Sequence, residues 1–336
     1  MRGQHAAEVA RLASKTPDAQ DAMVSLLRSR REVPGREIAT PITDSVHARL
    51  DPADVASVRA QLNGAPAELY ASCDEATRRR ITINFAAAYG ITPVLERAGI
   101  SSATPPEDVH AMGRGPVAAG GDLYLADLVF DALHRAGLVV PEGGTVLDFG
   151  SSSGRVLRAV AAGRPDIECV GCDPNEGAIA WAQEHLPMAR FFVSPQRPPL
   201  ALADGSVDLV YAVSIWSHFA EGPAIEWLSE MHRVLTPGGA LVITTHGIDC
   251  LSTQLRRGDV SDQTASAAAT GLLETGHHFV DVFGPDGDWG VKDEGWGNAW
   301  LSLEWLLART GDQWAVLLDW PGALDQVQDV IVLQRR

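Results

Sequence analysis

The feature that most constrains the fold is an apolar strand that runs into a loop of small residues and then into a helix. Residues 144–149 form the predicted strand, residues 150–154 (Gly-Ser-Ser-Ser-Gly) form the loop, and apolar side chains then recur at helical spacing. A second apolar run, residues 168–173, ends in Asp173, about 20 residues after the loop. Small residues let a ligand approach the backbone, and a helix N-terminus offers it unpaired N–H groups. Together these segments predict one nucleoside-binding unit.

The spacing of the glycines limits which nucleoside cofactor the loop is expected to bind. Gly150, Ser152 and Gly154 are spaced two and then two, whereas a dinucleotide site has the pattern G-x-G-x-x-G. This difference disfavours an NAD(P)-dependent oxidoreductase. Residues 148–154 instead resemble the E/D-x-G-x-G-x-G motif of class I S-adenosylmethionine-dependent methyltransferases, with Ser152 in place of the central glycine.

Residues 245–247 and 328–329 resemble bacterial small-molecule and sugar methyltransferases of specialised metabolism. Several later segments resemble the class I family as a whole. They are a third strand at 189–194, a Pro-Leu and Asp-Gly-Ser stretch at 198–214, a helix closed by Thr-Pro-Gly-Gly at 236–239 before a strand at 240–245, and closing strands at 314–318 and 328–333. The resemblance covers the chain from about residue 120 onward. It implies an α/β fold with a doubly wound, mostly parallel seven-stranded sheet, the Rossmann-like methyltransferase fold.

The resemblance also implies which residues bind S-adenosylmethionine. Asp173 accepts hydrogen bonds from the ribose, the loop approaches the methionine and ribose part, and Asp148 orients the loop from beneath. Tyr124, in a helix predicted from residue 121 to residue 137, is a candidate for the methionine end, as is Asp127. The complete set is Asp148, Gly150, Ser151, Ser152, Gly154, Asp173, Pro174, Ser194, Ser214 and Tyr124.

The first 117 residues differ in kind from the rest and predict an all-helical N-terminal domain. Helical spacing recurs at 6–12, 19–31, 52–62, 65–71 and 74–88. We expect this domain to cap the active site, to form a homodimer interface, or both. The predicted methyltransferase domain is 118–336, with an insertion at about 247–312 where the acceptor is expected to bind.

Two histidines follow predicted strands at the carboxyl edge of the sheet and are the candidate catalytic bases. His246 follows the fifth strand and is the first choice, and His218 follows the fourth. The candidate acceptor-binding residues are Trp216, Trp289, Trp296 and His278, whereas Trp300 and Trp305 are expected to pack in a helix predicted over 298–310. No metal site is predicted, because His218, Glu221, His246 and Asp249 do not form a recognised ligand motif.

Composition excludes several classes of partner. The chain has 336 residues and a formal net charge of -16, a field that repels a phosphate backbone. No stretch is long and apolar enough to span a bilayer, and the N-terminus lacks the apolar region of a signal peptide. Of the four cysteines, Cys169 and Cys172 are interpreted as small core residues. The sequence therefore predicts a cytoplasmic protein that binds neither nucleic acid nor membrane.

The expected function is methyl transfer from S-adenosylmethionine to a small-molecule acceptor, with S-adenosylhomocysteine as product. The expected acceptor atom is a hydroxyl oxygen of a natural product or sugar. Methylation at nitrogen or carbon is the alternative within the enzyme class. A non-catalytic S-adenosylmethionine-binding interaction protein is the alternative outside it.

Overall fold

The computed structural model describes residues 17–30, 37–106, 109, 121–284, 287 and 290–336. Its helices are α1 (Pro17–Ser29), α2 (Pro41–His47), α3 (Pro52–Gln61), α4 (Gly64–Ser72), α5 (Glu75–Ala88), α6 (Thr92–Ala98), α7 (Leu123–Arg135), α8 (Leu157–Gly163), α9 (Glu176–His185), α10 (Glu221–Val234), α11 (Ile248–Arg257), α12 (Asp262–Glu274) and α13 (Leu303–Thr310). Its strands are β1 (Thr145–Phe149), β2 (Glu168–Asp173), β3 (Arg190–Val193), β4 (Val207–Ala212), β5 (Leu235–Thr245), β6 (His277–Val280), β7 (Asn298–Leu301), β8 (Trp314–Leu324) and β9 (Gln328–Arg335).

Seven strands form one sheet in the order β3-β2-β1-β4-β5-β9-β8. β1 pairs in parallel with β2 and β4, and β2 pairs in parallel with β3. β9 is antiparallel to both β5 and β8, and residues 240–245 are the part of β5 that pairs with it. The predicted fold class, a mostly parallel seven-stranded Rossmann-like sheet, is therefore confirmed. β6 and β7 form a separate antiparallel pair.

The chain divides into two compact units, and we call the one made of Ile38–Pro195 and Leu200–Tyr211 the loop unit. It contains the small-residue loop after β1. Within it, α2 packs on α7 and α8. Asp127 of α7 accepts hydrogen bonds from the backbone N–H groups of Ile42 (2.9 Å) and Thr43 (3.0 Å). It also forms an ion pair with Arg80 (3.1 Å). This buried carboxylate therefore holds α2 against α7.

The other unit, which we call the histidine unit, comprises the described residues of Met1–Glu37 together with Gln196–Pro199 and Ala212–Arg336. Here α1 packs on α11 and α12. The shared core includes Met23, Leu27, Leu251, Ala268 and Trp300.

The prediction of a helix over 298–310 is wrong for residues 298–301. Asn298–Leu301 form β7, paired with β6, and Ser302 then caps α13 by accepting the Trp305 N–H at 3.1 Å. Pairing with β6 explains the difference, because helical spacing in the sequence carries no information on a partner strand. Trp300 and Trp305 are both buried, as expected.

The predicted N-terminal helices are confirmed as α1, α3, α4 and α5, and 6–12 lies outside the described residues. Asp51 forms a capping box at the start of α3. The predicted N-terminal domain contributes α1 to the histidine unit and α2 to α6 to the loop unit, and its boundary near residue 117 stays a prediction. No helix in the described ranges is long and apolar enough to cross a membrane.

Candidate functional site

The loop after β1 has an unusual backbone at three of its five positions. Gly150, Ser152 and Gly154 have φ angles of 85°, 47° and 75°, a region that favours glycine. Ser152, which departs from the family's central glycine, therefore adopts a glycine-like conformation. Gly154 is needed for packing as well, because a Cβ there would lie 2.7 Å from Leu186 Cδ1 and 2.8 Å from Phe191 Cζ.

Asp173 ties the end of β2 to this loop. Its Oδ2 accepts the Ser152 N–H and its Oδ1 accepts the Asn175 N–H, each at 2.8 Å. Burial raises the pKa of Asp173 to about 6, and the two backbone N–H groups act against that shift. A carboxylate offers about four acceptor positions, so two hydrogen bonds leave it capacity for ligand hydroxyls.

Asp148 lies beneath the loop, on β1, and is buried. The β1–β4 register places Tyr211 directly beside it. Burial raises the pKa of Asp148 to about 7, while Tyr211 acts to lower it. Neither Asp148 Oδ2 nor the Tyr211 hydroxyl has a hydrogen-bond partner of ordinary geometry in the described residues. The orphaned carboxylate oxygen is a buried acceptor suited to a cationic or hydrogen-donating ligand group.

Other predicted cofactor residues gather around the ends of β1, β2 and β3. The N–H groups of Gly150 and Ser151 donate to the Cys172 carbonyl at 2.9 and 3.0 Å, and the Ser194 N–H donates to the Asp173 carbonyl at 3.0 Å. Pro174 is half-buried immediately after Asp173. The structure thus brings together eight of the ten predicted cofactor residues: Asp148, Gly150, Ser151, Ser152, Gly154, Asp173, Pro174 and Ser194.

The remaining two predicted cofactor residues, Tyr124 and Ser214, make contacts of other kinds. Tyr124, on α7, is half-buried, and the Arg80 guanidinium lies 5.3 Å from its ring centroid. Ser214, in the histidine unit, has a φ angle of 58° and donates its N–H to Thr244 Oγ1 at 2.7 Å. Gln328 joins these two residues, donating to Ser214 Oγ at 2.9 Å and accepting from Thr244 Oγ1 at 2.5 Å.

The two candidate bases are fixed by the carbonyl groups of a residue in β7 and of the residue just before β7. His246 Nδ1 lies 3.0 Å from the Ala299 carbonyl oxygen, and His218 Nδ1 lies 2.6 Å from that of Gly297. A carbonyl oxygen only accepts hydrogen bonds, so Nδ1 carries the proton in both rings. In the neutral form of either ring the lone pair is then on Nε2, the nitrogen that accepts a proton.

The predicted acceptor-binding aromatics differ in their surroundings. Trp296 is buried against His218 (ring centroids 4.8 Å apart), and its Nε1 has no hydrogen-bond partner in the described part of the chain. Trp216 is completely buried and donates to the Ala224 carbonyl at 3.3 Å, so it packs in the interior of the histidine unit. His278 packs against Trp300, and burial lowers its pKa. Trp289 lies outside the described residues.

Tyr211, Thr244 and Gln328 contact predicted site residues but were not themselves predicted from the sequence. Tyr211 carried a signal, because it is a polar aromatic within the apolar run of β4. Thr244 and Gln328 had none, since their network depends on which strands are neighbours. In the described ranges, no group of three His, Cys, Asp or Glu residues is arranged to hold a metal ion.

The part of the chain that contains the loop is similar to known proteins. Residues 146–239 match the model of a family described as a methyltransferase domain. This segment is similar to a methyltransferase domain. It contains β1 to β4, the loop and Asp173.

Two curated relatives are 32% identical to this chain over short stretches. Malonyl-[acyl-carrier protein] O-methyltransferase from Methylococcus capsulatus matches over 116 residues, which is 32% of this chain and 39% of the relative. Trans-aconitate 2-methyltransferase from Variovorax paradoxus matches over 111 residues, 31% of this chain and 39% of the relative. The chain thus spans about two fifths of the length of the curated relatives it matches. Among solved structures, a TehB-like SAM-dependent methyltransferase from Corynebacterium glutamicum has a TM-score of 0.41 and 18% identity, covering 65% of this chain and 91% of that one.

Proposed function

We propose that this protein transfers a methyl group from S-adenosylmethionine to a small-molecule acceptor. The observation that carries the proposal is the loop closed by Asp173 inside a segment that matches a methyltransferase domain. S-adenosylmethionine supplies an activated methyl group on a sulfonium and leaves as S-adenosylhomocysteine.

The residues of the loop unit suit this cofactor. The residues that would hold it are the backbone of 150–154, with Asp173 accepting the ribose hydroxyls. The orphaned Asp148 Oδ2 offers a buried acceptor to the cofactor's amino group. Pro174 and Ser194 would border the adenine.

The proposed acceptor atom is a hydroxyl oxygen, and His246 is the proposed base. A hydroxyl must lose its proton as it attacks, and a base of near-neutral pKa contributes about 10²–10⁴-fold. The proton would pass to His246 Nε2, because Nδ1 already donates to the Ala299 carbonyl. One curated relative is named an O-methyltransferase, which supports oxygen as the acceptor atom. Holding the reacting atoms in line supplies roughly 7–11 kcal/mol in well-oriented reactions.

His218 is proposed to orient the acceptor beside Trp296, or to serve as base in place of His246. A natural product or sugar is the proposed acceptor, and a homodimer through the N-terminal helices stays a prediction.

Calorimetry and methyl-transfer assays test the proposal. The full chain should bind S-adenosylmethionine and S-adenosylhomocysteine and should not bind NAD. It should also transfer labelled methyl groups to a hydroxyl compound from a panel of hydroxyl-, amine- and carbon-nucleophile acceptors. Preference for NAD contradicts the cofactor proposal. Transfer only to amines or carbon contradicts the oxygen assignment, and binding of the cofactor without transfer to any panel member favours an interaction protein.

A further inference from the structure

An arginine of the segment after β3 holds the loop that leads into β7. Arg197 donates from Nε and Nη2 to the two carboxylate oxygens of Asp293, at 2.5 and 2.8 Å, and from Nη1 to Glu226 at 2.9 Å. All three residues belong to the histidine unit. A planar guanidinium that binds both oxygens of a carboxylate fixes its orientation as well as its distance.

Gln196, the residue before Arg197, binds the backbone of the same loop with its side chain. Gln196 Nε2 donates to the Gly290 carbonyl at 3.2 Å, and Gln196 Oε1 accepts the Lys292 N–H at 2.9 Å. Two consecutive side chains therefore fix residues 290–293.

Asp293 passes this constraint to the turn that enters β7. Its Oδ1 accepts the Gly295 N–H at 2.7 Å, and its carbonyl accepts the Trp296 N–H at 3.0 Å. Burial acts to raise the pKa of Asp293, but the hydrogen bonds from Arg197 and Gly295 outweigh it and hold the pKa below its usual value. Asp293 is thus an anion at neutral pH and keeps its full attraction for Arg197.

The turn ends where the candidate base His218 is fixed. The Gly297 carbonyl accepts the His218 Nδ1–H at 2.6 Å, and the Gly297 N–H donates to the His218 carbonyl at 2.9 Å. The Trp296 ring lies against the His218 ring. Any shift of residues 293–297 therefore moves both the acceptor of the Nδ1 proton and the aromatic neighbour of the imidazole.

We propose that Arg197 is a positioning residue of the acceptor site, acting through Asp293 to fix the tautomer and orientation of His218. This inference deepens the proposed function and rests on it. Arg197 and Asp293 side chains are 41% and 17% exposed, and a partly exposed ion pair contributes little to stability. Its effect is to hold the turn in one geometry.

Nitrogen NMR of the full chain labelled with ¹⁵N-histidine tests the proposal without a known acceptor. The His218 signals are assigned by their loss in His218→Gln. In the wild-type protein they should report a neutral ring protonated at Nδ1. Arg197→Ala should raise the population of the other tautomer about tenfold, the change expected when one ordinary hydrogen bond is lost.

Matched variants separate positioning from general loss of structure. Arg197→Lys keeps the charge but not the two-pronged contact and should give an intermediate effect, and Asp293→Asn should reproduce the effect of Arg197→Ala. Combining Arg197→Ala with Asp293→Asn should add nothing further, because both act through one contact. Arg28→Ala is the control, since it removes an arginine that pairs with Asp262 on the surface of the same unit.

Calorimetry with S-adenosylmethionine, run on every variant, distinguishes the two levels of inference. Failure of the wild-type chain to bind it overturns the proposed function, whatever the NMR result. Unchanged affinity in the Arg197 and Asp293 variants together with an altered His218 tautomer supports the positioning role. A His218 tautomer that stays the same in Arg197→Ala and Asp293→Asn overturns it.

Discussion

Asp173 Oδ2 accepts the backbone N–H of Ser152 at 2.8 Å, so the last residue of β2 fixes the middle of the loop that follows β1. The contact holds Ser152 in its left-handed conformation, with a φ angle of 47°. One carboxylate therefore both shapes the loop and is the proposed ribose ligand.

Replacing Asp173 with Asn should weaken binding of S-adenosylmethionine by roughly 10–100-fold, because hydrogen bonds to a charged group contribute about 1.5–3 kcal/mol. Calorimetry measures the change. Asp166→Asn, which removes a carboxylate paired with Arg164 near the surface, is the control and should bind normally. Equal affinities in the two variants would exclude Asp173 from the cofactor site.

Asp148 should make stability depend on pH. Its pKa in the folded protein is about 7, far above the usual value of 3.8, chiefly because of burial. The folded state therefore binds this proton more tightly than the unfolded chain. The resulting stabilisation is complete below about pH 4 and is lost as the pH rises through about 7.

Asp148→Asn removes this titration and keeps one carbonyl acceptor. The free energy of unfolding of the variant, relative to wild type, should therefore rise between pH 5 and pH 8. Denaturant unfolding at several pH values measures it, with Asp166→Asn as a control whose curve should run parallel to wild type. A parallel curve for Asp148→Asn would mean that Asp148 does not titrate in this range.

The sheet was predictable because each of its strands carries a local signal. Apolar runs ending in small or acidic residues identified β1 and β2, and Thr-Pro-Gly-Gly identified the entry to β5. The role of Asp127 was not predictable, since it depends on Ile42 and Thr43, more than 80 positions away in the chain. Helical spacing shows that a residue lies on a buried face but not which element packs there.

The candidate site divides in the same way. Asp148, the loop and Asp173 lie close together in the chain and follow from one motif. The acceptors of the two histidine Nδ1 protons belong to residues 297–299, which the sequence placed in an insertion or a helix. β7 pairs with β6, and residues 297–299 contact the histidine rings through backbone carbonyl groups. Every residue type has such a group, so the sequence does not indicate these contacts.

Two substitutions in the loop should have contrasting effects. Gly154→Ala places a Cβ against Leu186 and Phe191 and adopts an unfavourable φ angle, so it should destabilise the fold by about 1–3 kcal/mol. Ser152→Gly removes a left-handed non-glycine residue and keeps the N–H that binds Asp173, so stability should change by less than about 1 kcal/mol. Thermal and denaturant unfolding measure both. Equal destabilisation by the two substitutions would contradict this contrast, because it would mean that the loop requires Ser152 as strictly as it requires Gly154.

His246→Gln should lower kcat for an identified hydroxyl acceptor by at least about 10²-fold, because it removes the proposed proton acceptor. The KM for S-adenosylmethionine should stay near the wild-type value. The control is His134→Gln, at the exposed end of α7, which should retain wild-type kcat. A loss within about threefold would contradict the base assignment, and a comparable loss in His218→Gln alone would transfer the role to His218.

Asp127 should be the most important side chain for docking α2 onto α7. Its carboxylate accepts from two backbone N–H groups, the Thr43 hydroxyl at 2.6 Å and Arg80, and its side chain is completely buried. Asp127→Ala leaves those donors without an acceptor and should cost about 2–5 kcal/mol in the free energy of unfolding.

Asp131→Ala is the comparison, because Asp131 accepts one backbone N–H, from Ala39, and pairs with the partly exposed Arg135. Its loss should therefore cost clearly less. Hydrogen exchange should locate the effect, with the amides of Ile42 and Thr43 losing protection only in the Asp127 variant. Equal costs for the two variants, or unchanged exchange at Ile42 and Thr43, would show that α2 is held by its apolar contacts with α7 and α8 alone.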